Sequence, residues 1–363
     1  MNFNVTTNWE DDFIDELAGL PVEWVSGRFP QDLTGAESDP EDSLPLTKDK
    51  FKKHVAYINS KGLQFNYLMD SHCLNNREYD RKWVNELVKF IQWLVEAQVK
   101  GVTVFIPYLV EIIKHKFPQL KVGYGTTSYI RNVTTAKYFS NVLGVDWICL
   151  HPEANRDFKL LKAIKKAIKC DLYLTANSGC LNRCPFMHDH CSFLSHCSAK
   201  GDCSTELYHG YFHLLCQEIF LKNPHEIIKA DFIRPEDTKI YETIGYENFI
   251  IKNNSQKTKN ILPIIRAYTK RKYKGNLLEI LTLMGKKMFQ FSGKVKTKET
   301  VYLDNQKLNN FLEFFVNTEI ECYKHLCTEC RYCMKIAKNA LCIPQDVNKI
   351  LKKTAKDIHG IET

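Results

Sequence analysis

The stretch DWICLHPEANRDFKLLKAIKKAIKCDLYLTAN, residues 146–177, decides the fold class. Asp146–His151 is a short β-rich run, NRDFKLLKAIKKAIK (155–169) repeats apolar residues at helical spacing, and Asp171–Asn177 is β-rich again. Two strands joined by an amphipathic helix make a βαβ unit, and strands joined in that way lie parallel.

Outward from this unit the same alternation continues. Strands are predicted at Phe3–Thr7, Glu23–Arg28, Phe65–Asp70, Val102–Tyr108 and Lys121–Gly125, with helices over 78–98 and 132–144. An eighth strand is expected from either Asp231–Arg234 or Asn248–Lys252, separated by one helical segment beginning at Arg234. Eight βα units over about 250 residues is the arithmetic of a TIM-like (β/α)8 barrel, an α/β fold. A doubly wound open sheet is the weaker alternative. No GxGxxG and no GKS or GKT loop occurs in the chain, which disfavours a nucleotide-binding sheet. The division expected is a barrel over 1–275 with a cysteine-rich insertion over 177–216, then a smaller, basic, cysteine-rich and mainly helical module over 276–363.

The first 30 residues are acidic and lack a basic start followed by an apolar stretch, so no signal peptide is predicted. No uncharged run approaches the ~18 residues of a membrane span. A cytoplasmic location is expected, where thiols stay reduced. That leaves 14 cysteines to explain by something other than disulfides. Most fall in two clusters, NSGCLNRCPFMHDHCSFLSHCSAKGDC (177–203) followed by Cys216, and CYKHLCTECRYC (322–333) followed by Cys342. Thiolates converging in fours hold a structural zinc or an iron–sulfur cluster, because both are soft acceptors. In the first cluster only Cys180 and Cys184 have a zinc-knuckle spacing, and His188, His190 and His196 are further candidate ligands or acid–base groups. In the second, Cys322, Cys327, Cys330 and Cys333 have C-x4-C-x2-C-x2-C spacing, which suits a second 4Fe–4S cluster or Zn equally.

Chemistry in a barrel is placed beyond the C-terminal ends of its strands. The polar residues predicted there are Asp70 and His72 (MDSHC), His151 and Glu153 (LHPE), Asn177, Lys252, and Arg234, Glu236 and Asp237 (FIRPED). Of these, Asp70, His72, Glu153, Asn177, Arg234 and Asp237 are the catalytic candidates, with Glu153 or His72 moving protons. Pro235 followed by two acids is also an ordinary helix start. Residues 251–300 carry 13 Lys and Arg against 2 acids, and YTKRKYKGN (268–276) interleaves aromatics with bases as nucleic-acid surfaces do. Expected partners are RNA or another polyanion through 251–300, and a partner protein of the same family.

Several of these segments resemble the collagenase-like peptidase family U32, in its iron–sulfur TIM-barrel subgroup. They are VLGVDWICLHPE (142–153), LYLTANSGCLNRCP (172–185), IRPEDTKIYETIGYENFIIK (233–252) and IIRAYTKRKYKGN (264–276). By motif position the resemblance implies a 4Fe–4S cluster on Cys180, Cys184 and Cys216, with Cys191, Cys197 or Cys203 as the fourth ligand and Cys197 the choice. It also implies oxygen-independent hydroxylation of a tRNA or ribosomal RNA base or of a quinone precursor, in some members with oxygen from prephenate; other members are described as peptidases. The chain departs from the family's K-I-E-G-R with Lys252, Asn253, Asn254 and Ser255. It also lacks HExxH, GxSxG and the C-x3-C-x2-C of radical S-adenosylmethionine enzymes. A zinc- or cluster-stabilised RNA-binding scaffold without catalysis, and a peptidase, are the rival readings.

Overall fold

A computed structural model describes residues 1–30, 32–36, 45–127, 129–200, 211–252, 257–282 and 301–344. Eight parallel strands close into a barrel in chain order: β1 (Asn2–Thr6), β2 (Val22–Gly27), β3 (Gln64–Met69), β4 (Gly101–Val104), β5 (Lys121–Tyr124), β6 (Trp147–Cys149), β7 (Asp171–Thr175) and β8 (Asn248–Ile251). Closure is made by β8, which pairs with both β7 and β1. The eighth strand is therefore the second of the two expected segments. Asp231–Arg234 instead runs past the end of β7, to which it gives the backbone bond from Ile233 N–H to the Ala176 carbonyl.

The helices are α1 (Asp11–Leu17), α2 (Lys48–Ser60), α3 (Arg81–Glu96), α4 (Pro107–Lys116), α5 (Val133–Lys137), α6 (Phe158–Ala167), α7 (Met187–Lys200), α8 (Tyr211–Lys222), α9 (His225–Lys229), α10 (Thr238–Thr243) and α11 (Thr258–Thr269). Helix α3 shows why these segments are helical. Trp83, Leu87, Ile91 and Leu94 are its buried residues, at spacings of four and three, and the Asp80 carboxylate caps it by accepting from Trp83 N–H. The strand expected over Val102–Tyr108 ends early because Pro107 opens α4, where its fixed φ and missing N–H suit the first turn.

Inside the barrel, aromatic residues close one end. Trp24 and Trp147 sit on the strands near their starts with ring centroids 5.2 Å apart, and Tyr173 packs edge-on against Trp147. Room for them comes from glycines. A Cβ on Gly101 would lie 2.8 Å from the Trp147 ring, and one on Gly123 would fall inside the indole. Above this floor is a buried polar layer in which Asn66 donates to Ser26 (2.9 Å) and Thr103 (3.0 Å), and Ser26 donates to Asn4 (2.5 Å). These hydrogen bonds offset the cost of burying the polar groups. With this end filled, the approach left to a ligand is the mouth at the C-terminal strand ends.

After β8 the chain covers part of that mouth. Residues 301–344 include α12 (Glu313–Thr318), the single turn α13 (Cys327–Cys330) and α14 (Tyr332–Ala340), held by an antiparallel pair between Tyr302–Leu303 and Leu341–Cys342. Their Leu303, Leu308, Phe311 and Phe315 are buried in the same cluster as the barrel's helices. Among the described residues no helix is long and apolar enough to cross a membrane.

The glycine-for-tryptophan fit is testable. Gly123→Ala should overpack the floor and lower stability by about 1–3 kcal/mol, read as a lower denaturant midpoint at unchanged slope.

Candidate active site

The loop after β7 carries Cys180 and Cys184, and α8 brings Cys216 against them. The three thiols are near enough for Cys180 and Cys184 to act electrostatically on Cys216. Burial pushes the Cys216 thiol far up, and the two neighbouring thiols push in the same direction. Burial likewise raises Cys184, with Glu153 adding to it. Thiols grouped in this way do not ionise together without a cation among them, which is the donor chemistry of a soft metal or cluster. Cys191 and Cys197 are buried on α7, and Cys203 lies outside the described residues.

Beside the thiols, Tyr129 is stacked between two imidazoles, with His151 at 5.1 Å and His188 at 4.1 Å, and Arg131 lies over its ring at 4.7 Å. Glu153 takes an ion pair from Arg131 at 3.4 Å and stands 3.9 Å from His151 Nδ1. Burial raises the Glu153 carboxyl, opposed by Arg131 and Arg183. Close by, Asp231 is buried at 3% exposure and accepts from Asn182 Nδ2 at 2.7 Å. Desolvation brings its carboxyl up to about 7, against the pull of Arg156 and Asn182. Two carboxyls with raised pKa values at a strand-end cleft are what proton transfer near neutral pH requires.

His72 is positioned by neighbours. Its backbone N–H donates to Ser195 Oγ of α7 at 2.9 Å, its Nε2 is 2.6 Å from Thr127 Oγ1, and Phe105 packs against the ring. Asp70 faces Arg28 at 3.4 Å, and Arg28 also pairs with Asp32 at 3.1 Å. The remaining expected residues have structural partners. Asn177 donates to the Lys252 and Ile280 carbonyls and accepts from Lys252 N–H, tying β7 and β8 to residues 280–282. Arg234 forms a two-pronged pair with Asp237, both bonds 2.7 Å, and donates to the Asn305 carbonyl. Neither Arg234 nor Asp237 lines the cavity described next.

Between this mouth and the C-terminal segment is a cavity of about 260 Å³. Glu153, Asp157 and Arg183 line one side of it, and Cys322, Cys327, Cys330 and Cys333 line the other. The sides touch where Arg183 lies over the Tyr323 ring at 5.1 Å. Arg156 and Arg183 also lie within electrostatic reach of Cys322. Arg156, Arg183 and Asp231 were not among the residues expected from sequence. Arg183 had a signal, since it stands one residue before Cys184, whereas Arg156 and Asp231 become site residues only through burial. Of the basic stretch, 253–256 and 283–300 lie outside the described residues. In its described part Arg266 pairs with Glu16 and Arg271 with Glu242.

One further arrangement has the connectivity of a hydrolytic triad. The Thr7 hydroxyl is 2.9 Å from His54 Nε2, and His54 Nδ1 is 2.9 Å from Asp11. Burial holds His54 below the usual imidazole range, so the neutral ring donates to Asp11 and accepts from Thr7. Thr7 is buried, its oxygen also accepts from Trp9 N–H, and its methyl lies against Gly27. Packed in this way it joins α1, α2 and β1 and is closed to a peptide bond.

Comparison with known proteins follows the same lines. The profile of the family described as "Peptidase family U32" matches residues 44–242. The chain is 27% identical over 289 residues to the "uncharacterized protease MJ1657" of Methanocaldococcus jannaschii, covering 80% of each chain. The solved structure of the U32 peptidase Mk0906 superposes with a TM-score of 0.52 at 20% identity, covering 70% of this chain and 92% of that one.

Asp231 gives a pH test. Its carboxyl is raised in the folded state from an ordinary value of 3.8 to about 7, so stability falls as pH rises through that window. Asp231→Asn should melt above the unmodified protein at and above neutral pH. The gap should close as pH falls toward the acid end of the window, as followed by thermal melts across a pH series.

Proposed function

Because the chain belongs to peptidase family U32, we propose that it is an iron–sulfur enzyme that hydroxylates a planar aromatic substrate, an RNA base or a small aromatic compound, taking the oxygen atom not from molecular oxygen but from an organic oxygen-donor co-substrate such as prephenate, which is reduced in the step. The observation that carries this reading is the gathering of Cys180, Cys184 and Cys216 at the mouth of a barrel whose other end is filled by tryptophan. These three hold the 4Fe–4S cluster, with Cys197 of α7 as the fourth ligand. Bound there, the cluster supplies a Lewis-acidic and redox-active iron.

The protein's own groups do the rest. Of the stacked rings His151, Tyr129 and His188, the exposed His188 offers a face on which an aromatic ring lies parallel. Arg131 and Arg183 provide positive charge for a phosphate or carboxylate. Glu153, its carboxyl raised by burial, is the proton-transfer group at the cavity wall, and the buried Asp231 near it is the second. His72, fixed by Thr127 and Ser195, is the imidazole donor on the opposite side. Arg234, Asp237 and Asn177 keep the strand ends in register. The Thr7–His54–Asp11 arrangement is closed to substrate, which weighs against hydrolysis of peptides.

The protein purified without oxygen should contain iron and acid-labile sulfide and show visible charge-transfer absorbance, and Cys180→Ser should reduce both. Glu153→Gln should retain the iron and lose turnover, measured as the gain of one oxygen atom in nucleosides from RNA incubated with the enzyme and the oxygen donor. Hydrolysis of unstructured protein that survives iron removal would replace this reading with a peptidase.

A further inference from the structure

The second cysteine set is built differently from a zinc knuckle. Cys322 sits on the turn Cys322–Lys324, Cys327 and Cys330 on α13, and Cys333 on α14, and all four line one cavity. Cys322, Cys327 and Cys330 each lie near enough to Cys333 to act on it electrostatically. A single zinc ion draws four sulfurs to about 2.3 Å from one point. Among the described residues no three His, Cys, Asp or Glu donors are so gathered. The thiols stand instead around about 260 Å³, several times the ~30 Å³ that one water occupies.

A second observation concerns the charge beside the same space. Arg156 is 7% exposed, and its guanidinium donates to the Ile228 and Ala230 carbonyls at 2.7 and 2.5 Å. It lies against the rings of Phe232, Phe311 and Phe315 at 4.9, 4.8 and 5.5 Å. Its Nε is fully buried without a hydrogen-bond partner among the described residues, so what the side chain brings to the cavity wall is its positive charge. Arg156 and Arg183 also bring positive charge beside Cys322. Four thiolates on an oxidised cubane carry a net charge of about −2, which those two cations offset.

We infer that Cys322, Cys327, Cys330 and Cys333 hold a four-iron, four-sulfide cluster in this cavity, not a single zinc ion, and that Arg156 and Arg183 supply positive charge beside it. This assignment is independent of the cluster proposed on Cys180, Cys184 and Cys216.

The test uses the full chain purified without oxygen and assayed for iron, sulfide and zinc, beside Cys330→Ser and Cys180→Ser. With both clusters present, each variant should lose about half of the iron and sulfide, near four irons per site. If Cys330→Ser removes all the iron and Cys180→Ser none, the inference stands and the barrel cluster falls. Iron that Cys330→Ser leaves unchanged overturns it, as does zinc that Cys330→Ser removes. Alkylation of the unmodified protein covers the case in which Cys330→Ser does not fold. In metal-loaded protein the four cysteines should resist labelling while the exposed Cys342 reacts, and chelation of iron should make all five reactive. Labelling of the four before chelation at the rate of Cys342 also overturns the assignment.

Discussion

A single buried guanidinium ties together three parts of this molecule that lie far apart in the sequence. Arg156 stands in the short turn between β6 and α6, yet its bonds run to carbonyls at 228 and 230, and its faces are covered by rings from 232, 311 and 315. A charge so enclosed is tolerated because carbonyl oxygens and aromatic faces replace water. Removing any one of those partners leaves the charge less compensated, so the turn after β6, the segment leading to β8 and the C-terminal segment are mutually dependent. The cavity exists where these three meet.

The barrel interior imposes the complementary constraint. Tryptophans accommodated by glycines fill one end, and a satisfied polar layer sits above them. Chemistry is thereby confined to the other end, where strand-end residues, the loop after β7 and α7 converge. The insertion is held there by close contact. Gly35 lies so near the α7 backbone at Ser195 that a Cβ would be 2.6 Å from its carbonyl oxygen, and the Ser195 hydroxyl receives the His72 N–H.

Most of the barrel was legible in sequence because each βα unit writes its own period, and both caps and apolar stripes are local. What was not legible depended on distant partners. The two candidate eighth strands, 231–234 and 248–252, are both apolar and short, and pairing with β1 at the opposite end of the chain distinguishes them. Val102–Tyr108 read as one run because the residues before Pro107 are β-rich and the helix start was not separated from them. At the site, the cysteines announced themselves by density. Arg156 and Asp231 did not, since an arginine at the head of an amphipathic helix and an aspartate before an apolar run are unremarkable until burial changes them. Arg234 and Asn177 stood at the expected strand ends, and their hydrogen bonds go to structural partners.

The walls of the cavity are drawn from residues 153–183, 225–229 and 314–334. A chain made from its N-terminus presents Cys180 and Cys184 to the cell well before Phe311, Phe315 and the second cysteine set have left the ribosome. For that interval the barrel mouth lacks its C-terminal cover and Arg156 lacks two of its aromatic walls. The order of synthesis therefore opens a period in which the first cysteine set is more accessible than in the finished molecule, before the C-terminal segment arrives to cover part of the mouth.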